Sequence, residues 1–169
     1  MAIKILKTNN GFSVVELMVV IAIIVTTFVS LLGMISFSLG ISALMKQTLQ
    51  ANNMAQETLE AVRNFRDGTD WETTGLGILG SGDYHPEICS PISSPPCDPS
   101  KWQLISNAEI IGIFTRKVVF QTVRRETDGD IVETGGNLDS NTKKAIVTVS
   151  WQEKNRNHQV EIATYLTNW

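Results

Sequence analysis

A run of residues without any charge constrains this chain more than any other feature. From Leu17 to Met45 there is no Asp, Glu, Lys or Arg, and apolar side chains dominate. About 20 such residues cross a hydrocarbon core of roughly 30 Å, so the sequence predicts a membrane-spanning helix. The overall hydrophobic content of 43% hides this feature, because much of the apolar content lies in this one segment.

The charges on either side of the run predict its orientation. Lys4 and Lys7 precede the run and Lys46 follows it, and the long segment beyond is too large for loop charges to govern its location. This small bias predicts a single pass through the cytoplasmic membrane, with the N-terminus in the cytoplasm and the C-terminal domain outside it. A cysteine pair in that domain, Cys89 and Cys97, suits a disulfide in an oxidising compartment.

An ordinary secretory signal peptide fits the run poorly. The apolar core of such a signal has about 7–15 residues and precedes a small-residue cleavage site. Here the run is about twice that length, and no A-x-A site follows it. Cleavage after the run is therefore not expected, whereas cleavage before it depends on the residues around Gly11.

One carboxylate, Glu16, stands at the start of the run, in the stretch GFSVVELMVV. A short basic leader, MAIKILKTNNG, ends in Gly11, and Glu16 is the fifth residue after that glycine. This pattern resembles the class III signal of type IV prepilins and type II secretion pseudopilins, whose usual form is Gly, Phe, Thr, Leu, an aliphatic residue and Glu. Ser13 and Val14 stand where Thr and Leu are usual. The resemblance covers roughly the first third of the chain.

The resemblance implies processing and assembly at named residues. A membrane aspartyl peptidase, the prepilin peptidase, would cut between Gly11 and Phe12, and the new Phe12 amine would be N-methylated. Glu16 would then pair with the protonated Phe12 amine of a neighbouring subunit. The other implied partners are pilin or pseudopilin subunits, the inner-membrane assembly platform and membrane lipid.

Glu16 also has an interpretation that needs no partner. Near the end of a spanning helix its carboxylate can reach the interface, and a helix N-terminus favours negative charge. Against this, ionisable residues within membrane segments are functional by default, and the resemblance supplies the partner. Both interpretations remain open at the level of the sequence.

The helix is expected to continue beyond the membrane. No proline occurs between Phe12 and Tyr84, and after Lys46 the pattern becomes amphipathic. The predicted helix runs from about Ser13 to Arg66, with Asp67-Gly68 as its stop. Its apolar face comprises Ala51, Ala55, Thr58 or Leu59, Val62 and Phe65, and its polar face Gln50, Asn53, Glu57, Glu60 and Asn64.

The next segment, residues 68–109, is rich in Gly, Ser, Pro and Asp, and its lack of any sustained period predicts a long connecting loop. A disulfide between Cys89 and Cys97 would enclose seven residues of this loop and stabilise it. The alternative is a metal site formed by His85, Glu87, Cys89, Cys97 and Asp98. The spacing of known zinc motifs is lacking, which favours the disulfide.

The last third predicts an antiparallel sheet. Its segments FTRKVVFQTVRR, KKAIVTVSWQE and HQVEIATYLTNW are rich in β-branched and aromatic residues, and Glu153 to Asn157 would join the last two as a hairpin. A short strand, Asp130 to Glu133, follows the turn signal Asp128-Gly129. The expected fold is α+β, a long N-terminal helix packed on a C-terminal sheet, as in pilins. Its expected parts are a leader (1–11), a transmembrane and assembly half-helix (12–45), an amphipathic half-helix (46–67), the loop (68–109) and the sheet (110–169).

Other functions have weaker support in the sequence. The two histidines, His85 and His158, lie in no nucleophile motif, and there is neither a phosphate loop nor HExxH, so catalysis is not expected. No cofactor is expected either. The acidic turn Asp128, Asp130 and Glu133, with Asp139 and Asn141, offers oxygen ligands for calcium but lacks the EF-hand spacing, which favours ordinary turn residues.

Nucleic-acid binding is also disfavoured. Cleavage after Gly11 would remove Lys4 and Lys7 and change the formal net charge from −3 to −5. The basic pairs Arg124-Arg125 and Lys143-Lys144 could form a stripe for DNA, but charges that discourage edge pairing of strands explain them as well.

The function expected from the sequence is therefore structural. The chain would be a subunit of a type IV pilus or a type II secretion pseudopilus, processed by prepilin peptidase and polymerised through its N-terminal helix. The helix end AQETLEAVRNFRD and the short acidic-turn sheet resemble minor pilins. The alternative is a bitopic, membrane-anchored binding domain that is never processed.

Overall fold

The computed structural model describes residues 11, 13–89 and 101–168 of this chain. One helix, α1 (Val14–Asp67), is followed by a short 3-10 turn (Leu76–Ile78) and seven strands. The strands are β1 (Asp83–Ile88), β2 (Trp102–Ser106), β3 (Glu109–Ile111), β4 (Phe114–Arg125), β5 (Ile131–Val132), β6 (Asn137–Glu153) and β7 (Arg156–Thr167). The expected α+β class and the predicted helix bounds are confirmed.

The chain divides into two compact units, Met1–Lys46 and Gln47–Trp169. In the first unit, the described helical residues Val14 to Met45 are almost all exposed, and among their large apolar side chains only Leu44 is partly buried. A helix that is apolar on all sides and has no protein packed against it is suited to contact with lipid or with other helices. By length and composition α1 can cross a membrane.

The second unit packs the amphipathic part of α1 on a sheet. The predicted apolar face of the helix is buried, and the five polar positions predicted for the opposite face are exposed. Glu57 of the helix lies 3.8 Å from Arg116 of β4, and the Trp151 Nε1–H of β6 donates to Gln47 Oε1 at 3.0 Å. The amphipathic pattern therefore predicted the packing face correctly.

The sheet is antiparallel throughout its described pairings, with the strand order β2-β1-β4-β6-β7; β3 and β5 both pair with β4. Buried side chains alternate along the two central strands, as period-2 geometry requires when one face is covered. The buried face carries Phe114, Val118, Phe120, Val123, Ala145, Val147, Val149 and Trp151.

The prediction of a loop over residues 68–109 is wrong in part. β1 and β2 form a hairpin within it, with Tyr84 opposite Ser106 and Ile88 opposite Trp102. The Cys89 N–H extends this pairing by donating to the Lys101 carbonyl at 3.1 Å. Proline misled the prediction: Pro86 lies inside β1 although it cannot donate to a strand ladder.

β6 also begins earlier than predicted, at Asn137 rather than at Lys143. Asn137, Leu138 and Asp139 pair with the last three residues of β4, and the register shifts between Thr122 and Val123 because Ser140 to Thr142 form a bulge. The predicted short strand at Asp130 to Glu133 is present as β5, Ile131–Val132.

Candidate functional site

The candidate site is the start of α1, where Gly11 and Glu16 lie. Phe12, the predicted new N-terminus, lies outside the described residues. The helix begins at Val14, and the Leu17 N–H donates to the Ser13 carbonyl at 3.1 Å. Glu16 therefore occupies the third helical position, in the first turn.

Ser13 caps this helix, a role that the sequence reasoning missed. Its Oγ accepts a hydrogen bond from the Val15 N–H at 3.4 Å, which satisfies one of the unpaired donors of the first turn. The signal that reveals it is the pattern Ser-x-x-Glu before an apolar run, which is the sequence of a capping box. Thr caps helices by the same chemistry, which gives the Thr-to-Ser difference at this position a physical explanation.

Gly11 is exposed, and a Cβ placed on it would meet no atom within 4 Å. The described fold therefore leaves room for a side chain at this position. A requirement for glycine at this position would have to come from another molecule that holds the backbone closely.

Glu16 is exposed at the start of the helix. Beyond it, the described helix carries no charged side chain until Lys46. The helix N-terminus stabilises a carboxylate in the first turn by roughly 0.3–1 kcal/mol, so the observed placement agrees with the local interpretation of Glu16 and is also compatible with an intersubunit partner.

Four hydroxyl groups in the apolar half donate hydrogen bonds within their own helix. Thr26 Oγ1 donates to the Ala22 carbonyl at 3.0 Å, and Ser30 Oγ to the Thr26 carbonyl at 2.9 Å. Thr27 and Ser42 donate to carbonyls three and four residues earlier. This arrangement removes the cost of placing these donors in lipid, where water cannot satisfy them.

One open apolar face of this half carries Met18, Ile21, Ala22, Val25 and Thr26. These residues recur at the helical spacing of three and four, and Ala22 is the smallest of them. Small residues allow helices to approach closely in membranes. This open apolar face has the chemistry of a surface for another apolar helix.

The acidic-turn residues do not assemble into a metal site. Asp128, Asp130 and Glu133 are exposed, and Asp128 Oδ1 accepts from the Asp130 N–H at 3.2 Å. Asp139 Oδ2 instead accepts from Arg125 Nε at 2.7 Å. Within the described residues, no three His, Cys, Asp or Glu side chains come close enough to hold a metal ion.

The predicted disulfide cannot be traced through the described residues. Cys89 is buried directly after β1, whereas Cys97 and Asp98 lie outside the described residues. His85 Nδ1 lies 2.9 Å from the Asn107 carbonyl, which ties the ring to the neighbouring strand end. The pairing of Cys89 with Cys97 therefore stays a prediction.

The two basic pairs do not form one stripe. Neighbouring residues of a strand point to opposite faces, and Arg125 is bonded to Asp139 while Arg124 donates to the Gly136 carbonyl at 3.2 Å. Lys143 donates to the Leu79 carbonyl at 3.2 Å, and Lys144 lies 6.0 Å from the centre of the Tyr165 ring. These separate contacts remove the geometric basis for a four-cation DNA site.

Comparison with models of known protein families, with curated proteins and with solved structures finds no match to this chain.

Proposed function

We propose that this chain is a prepilin-like structural subunit, and that its N-terminal helix anchors it in the membrane and then packs in a filament. The observation that carries the proposal is Glu16, placed in the first turn of a helix that is otherwise free of charge up to Lys46 and five residues after Gly11. The subunit has no catalytic role in this proposal.

The proposed processing follows from the class III resemblance. Prepilin peptidase cuts between Gly11 and Phe12 at the cytoplasmic face, and the Phe12 amine is methylated. The open space around Gly11 supports a requirement set by an enzyme rather than by the fold. The C-terminal domain lies outside the cytoplasm, where a disulfide between Cys89 and Cys97 closes the loop between β1 and β2.

The proposed assembly uses the apolar half of α1. Exposed side chains such as Val14, Met18 and Phe28 would be covered by helices of other pilin or pseudopilin subunits. The open apolar face with Met18, Ile21, Ala22, Val25 and Thr26 supports this packing. Glu16 pairs with the protonated Phe12 amine of a neighbour, which offsets the cost of a carboxylate in an apolar environment. We place the chain among the minor pilins.

Intact-mass measurement of the membrane-extracted full chain tests the processing. In cells with an active prepilin peptidase, we expect a chain that lacks residues 1–11 and carries one added methyl group. Gly11→Val should leave the leader attached, because a β-branched side chain obstructs a closely held backbone. Gly80→Val is the matched control, since Gly80 also has open space around it and lies far from the cleavage bond in the sequence. A wild-type chain that still begins at Met1 would overturn the proposal and leave an unprocessed bitopic anchor.

Glu16 substitutions test the assembly step separately. We expect Glu16→Ala and Glu16→Gln to reduce incorporation into filaments at least tenfold, because the neighbour's amine loses its counter-charge. Glu72→Gln, which removes an exposed carboxylate from the loop after α1, should leave incorporation unchanged. If Glu16→Ala is cleaved and incorporated as well as the wild type, the proposed pairing with Phe12 is wrong.

A further inference from the structure

Two isoleucines are exposed at the hairpin of β3 and β4, with Ile110 on β3 and Ile113 in the turn. Ile110 is 77% exposed and Ile113 is 55% exposed. Ile111 pairs with Phe114, so Gly112 and Ile113 form a two-residue turn, and Gly112 has φ +61° as a tight hairpin turn demands. The hairpin therefore presents two apolar side chains on the protein surface.

A second turn at the same end of the sheet carries positive charge. Phe114 pairs with Trp151 and Trp151 with His158, so the β6–β7 turn lies at the same end as the β3–β4 turn. Lys154 and Arg156 are exposed there. Glu153 lies opposite Arg156, while Glu109 is bonded to Arg116 and Glu57 lies 3.8 Å from it. Of the two turn cations, Lys154 therefore has no carboxylate opposite it in the sheet.

The same end receives the helix. Gln47 is the first residue of the second unit, and its Oε1 accepts from Trp151 Nε1 at 3.0 Å. Met45, the last residue of the charge-free run, is only two residues earlier, which is about 7 Å of fully extended chain at most. The run from Leu17 to Met45 would span about 43 Å as a helix, close to the roughly 40–45 Å of a bilayer with its headgroups.

We infer that this end of the sheet rests on the bilayer surface, with Ile110 and Ile113 in the headgroup region and Lys154 and Arg156 against anionic phospholipid headgroups. Apolar side chains flanked by cations are the pattern that binds such interfaces. The opposite end of the sheet also exposes apolar residues, among them Ile131 and Leu138, but there Asp128, Asp130 and Glu133 accompany Arg124 and Arg125. The carboxylates at that end offset its cations, so it offers anionic lipid less attraction.

This inference rests on the membrane anchoring in the proposed function, but on neither cleavage nor polymerisation. It describes the subunit in the membrane, before any assembly. Contact with lipid would fix the second unit on the membrane surface instead of leaving it to tumble on the end of its anchor.

Paramagnetic broadening of isoleucine methyl signals tests the inference on the full chain. The chain would be reconstituted in nanodiscs of phosphatidylglycerol and phosphatidylcholine, with spin labels at the lipid headgroup in one sample and along the acyl chain in another. With the headgroup label, we expect the Ile110 and Ile113 methyl signals to lose most of their intensity while the Ile131 signal keeps most of its own. With the acyl-chain label, the methyl signals of Ile23 and Ile24 should be lost.

Charge variants test the lipid chemistry. Lys154→Gln combined with Arg156→Gln should restore part of the Ile110 and Ile113 intensity, and so should discs of phosphatidylcholine alone. Arg124→Gln, at the other end of β4, is the matched control and should change neither signal.

Two outcomes would overturn the inference and are distinguishable. Sharp Ile110 and Ile113 signals beside broadened Ile23 and Ile24 signals would leave the anchoring intact and assign the two exposed isoleucines to a protein contact. Sharp signals at all four residues would mean that the helix does not enter the bilayer, which would overturn the anchoring as well.

Discussion

At the scale of single residues, the short pattern from Ser13 to Glu16 stabilises the start of α1 in two ways. Ser13 satisfies a backbone donor at the helix start, and Glu16 places a carboxylate where the helix end favours negative charge. Both effects are local and would hold for an isolated helix. The proposed pairing of Glu16 with Phe12 of a neighbour thus uses a carboxylate that the helix already holds in a favourable position.

Gly77 is required by the packing of Trp71. A Cβ at Gly77 would lie 2.5 Å from the Trp71 carbonyl oxygen and 2.6 Å from its Cδ1, both closer than atoms tolerate. Trp71 is buried, and its Nε1–H donates to the Ser140 carbonyl at 3.1 Å. We expect Gly77→Ala to reduce the free energy of unfolding by about 2–4 kcal/mol. Chemical denaturation of the full chain in detergent, followed by tryptophan fluorescence, would measure this change.

Gly80→Ala is the control for this prediction, because a Cβ at Gly80 would meet no atom within 4 Å. It should change the free energy of unfolding by less than about 0.5 kcal/mol. Equal effects of the two substitutions would show that the clash at Trp71 is relieved at little cost.

Asp139 makes stability depend on pH. Hydrogen bonds from the Thr142 hydroxyl and from Arg125 hold the pKa of Asp139 below its usual value. A carboxyl whose pKa is lowered by folding stabilises the protein above its unfolded pKa of about 4, and this contribution is lost as the pH falls through the folded pKa. At pH 7 we therefore expect Asp139→Asn to lower the Tm by a few degrees.

Below the folded pKa of Asp139, the difference in Tm between wild type and Asp139→Asn should shrink, because the wild-type carboxyl is then protonated as well. Near-UV circular dichroism of the full chain at pH 7, 5 and 3 would measure the trend. Glu133→Gln, on the nearby exposed turn, should change the Tm little at pH 7. A difference between Asp139→Asn and wild type that stays constant with pH would contradict the assigned role of the carboxylate.

At the scale of secondary structure elements, Arg116 connects β4 to β3 and to the helix. Its side chain is only 7% exposed; Nε donates to Glu109 Oε2 at 2.9 Å, and Glu57 lies 3.8 Å away with its own side chain 60% exposed. Most of the compensation for this buried charge should therefore come from Glu109.

Substitution of Glu109 and of Glu57, one at a time, tests which carboxylate compensates the buried charge of Arg116. We expect Glu109→Gln to lower the free energy of unfolding by about 1–3 kcal/mol, because it weakens a charge-assisted bond to a buried group. Glu57→Gln should cost less than about 1 kcal/mol, as exposed ion pairs do. Denaturation of both full-length variants under the same conditions would compare them, and a larger loss from Glu57→Gln would reverse the assignment.

Sustained patterns and composition explain which elements the sequence predicted. α1 is apolar throughout its first half and amphipathic in its second, and β4 is rich in β-branched and aromatic residues; the predicted bounds of both agree with the observed ones to within one residue. The hairpin of β1 and β2 has no such pattern, because Pro86 and many polar residues interrupt the apolar sequence. Its strands are defined only by their pairing with each other and by the pairing of β1 with β4. The start of β6 was missed for a related reason: Ser140 to Thr142 bulge out of register, so alternation fails there.

The candidate site was predictable to the extent that it is local. Gly11 and Glu16 were identified from their spacing, and the helix start that positions Glu16 followed from the apolar run. The exposed pair Ile110 and Ile113 could not be placed from the sequence, since their position beside the helix entry depends on the register between β4, β6 and β7. Long-range register is what single-sequence patterns determine least well.

At the scale of the whole molecule, the two units differ in whether they bury their own apolar side chains. Gln47–Trp169 buries a core of its own between helix and sheet, whereas the described part of Met1–Lys46 leaves nearly all of its apolar side chains exposed. The second unit has the contacts of a self-sufficient domain, and the first needs lipid or other helices. Such a division suits a subunit that must be stable both alone in a membrane and within an assembly.

The internal hydrogen bonds of Thr26, Thr27, Ser30 and Ser42 bear on how neighbouring helices would align. Since these hydroxyl donors are already used within α1, they would not tie the helix to one lengthwise position against its neighbours. Alignment would then depend on Glu16, on the hydroxyl groups of Ser36 and Ser38 and on the fit of apolar side chains. In the assembly that we propose, these four hydroxyl groups would add no polar bond that must break when the helix moves along its axis, so Glu16 would supply the one charge pair that holds its lengthwise position.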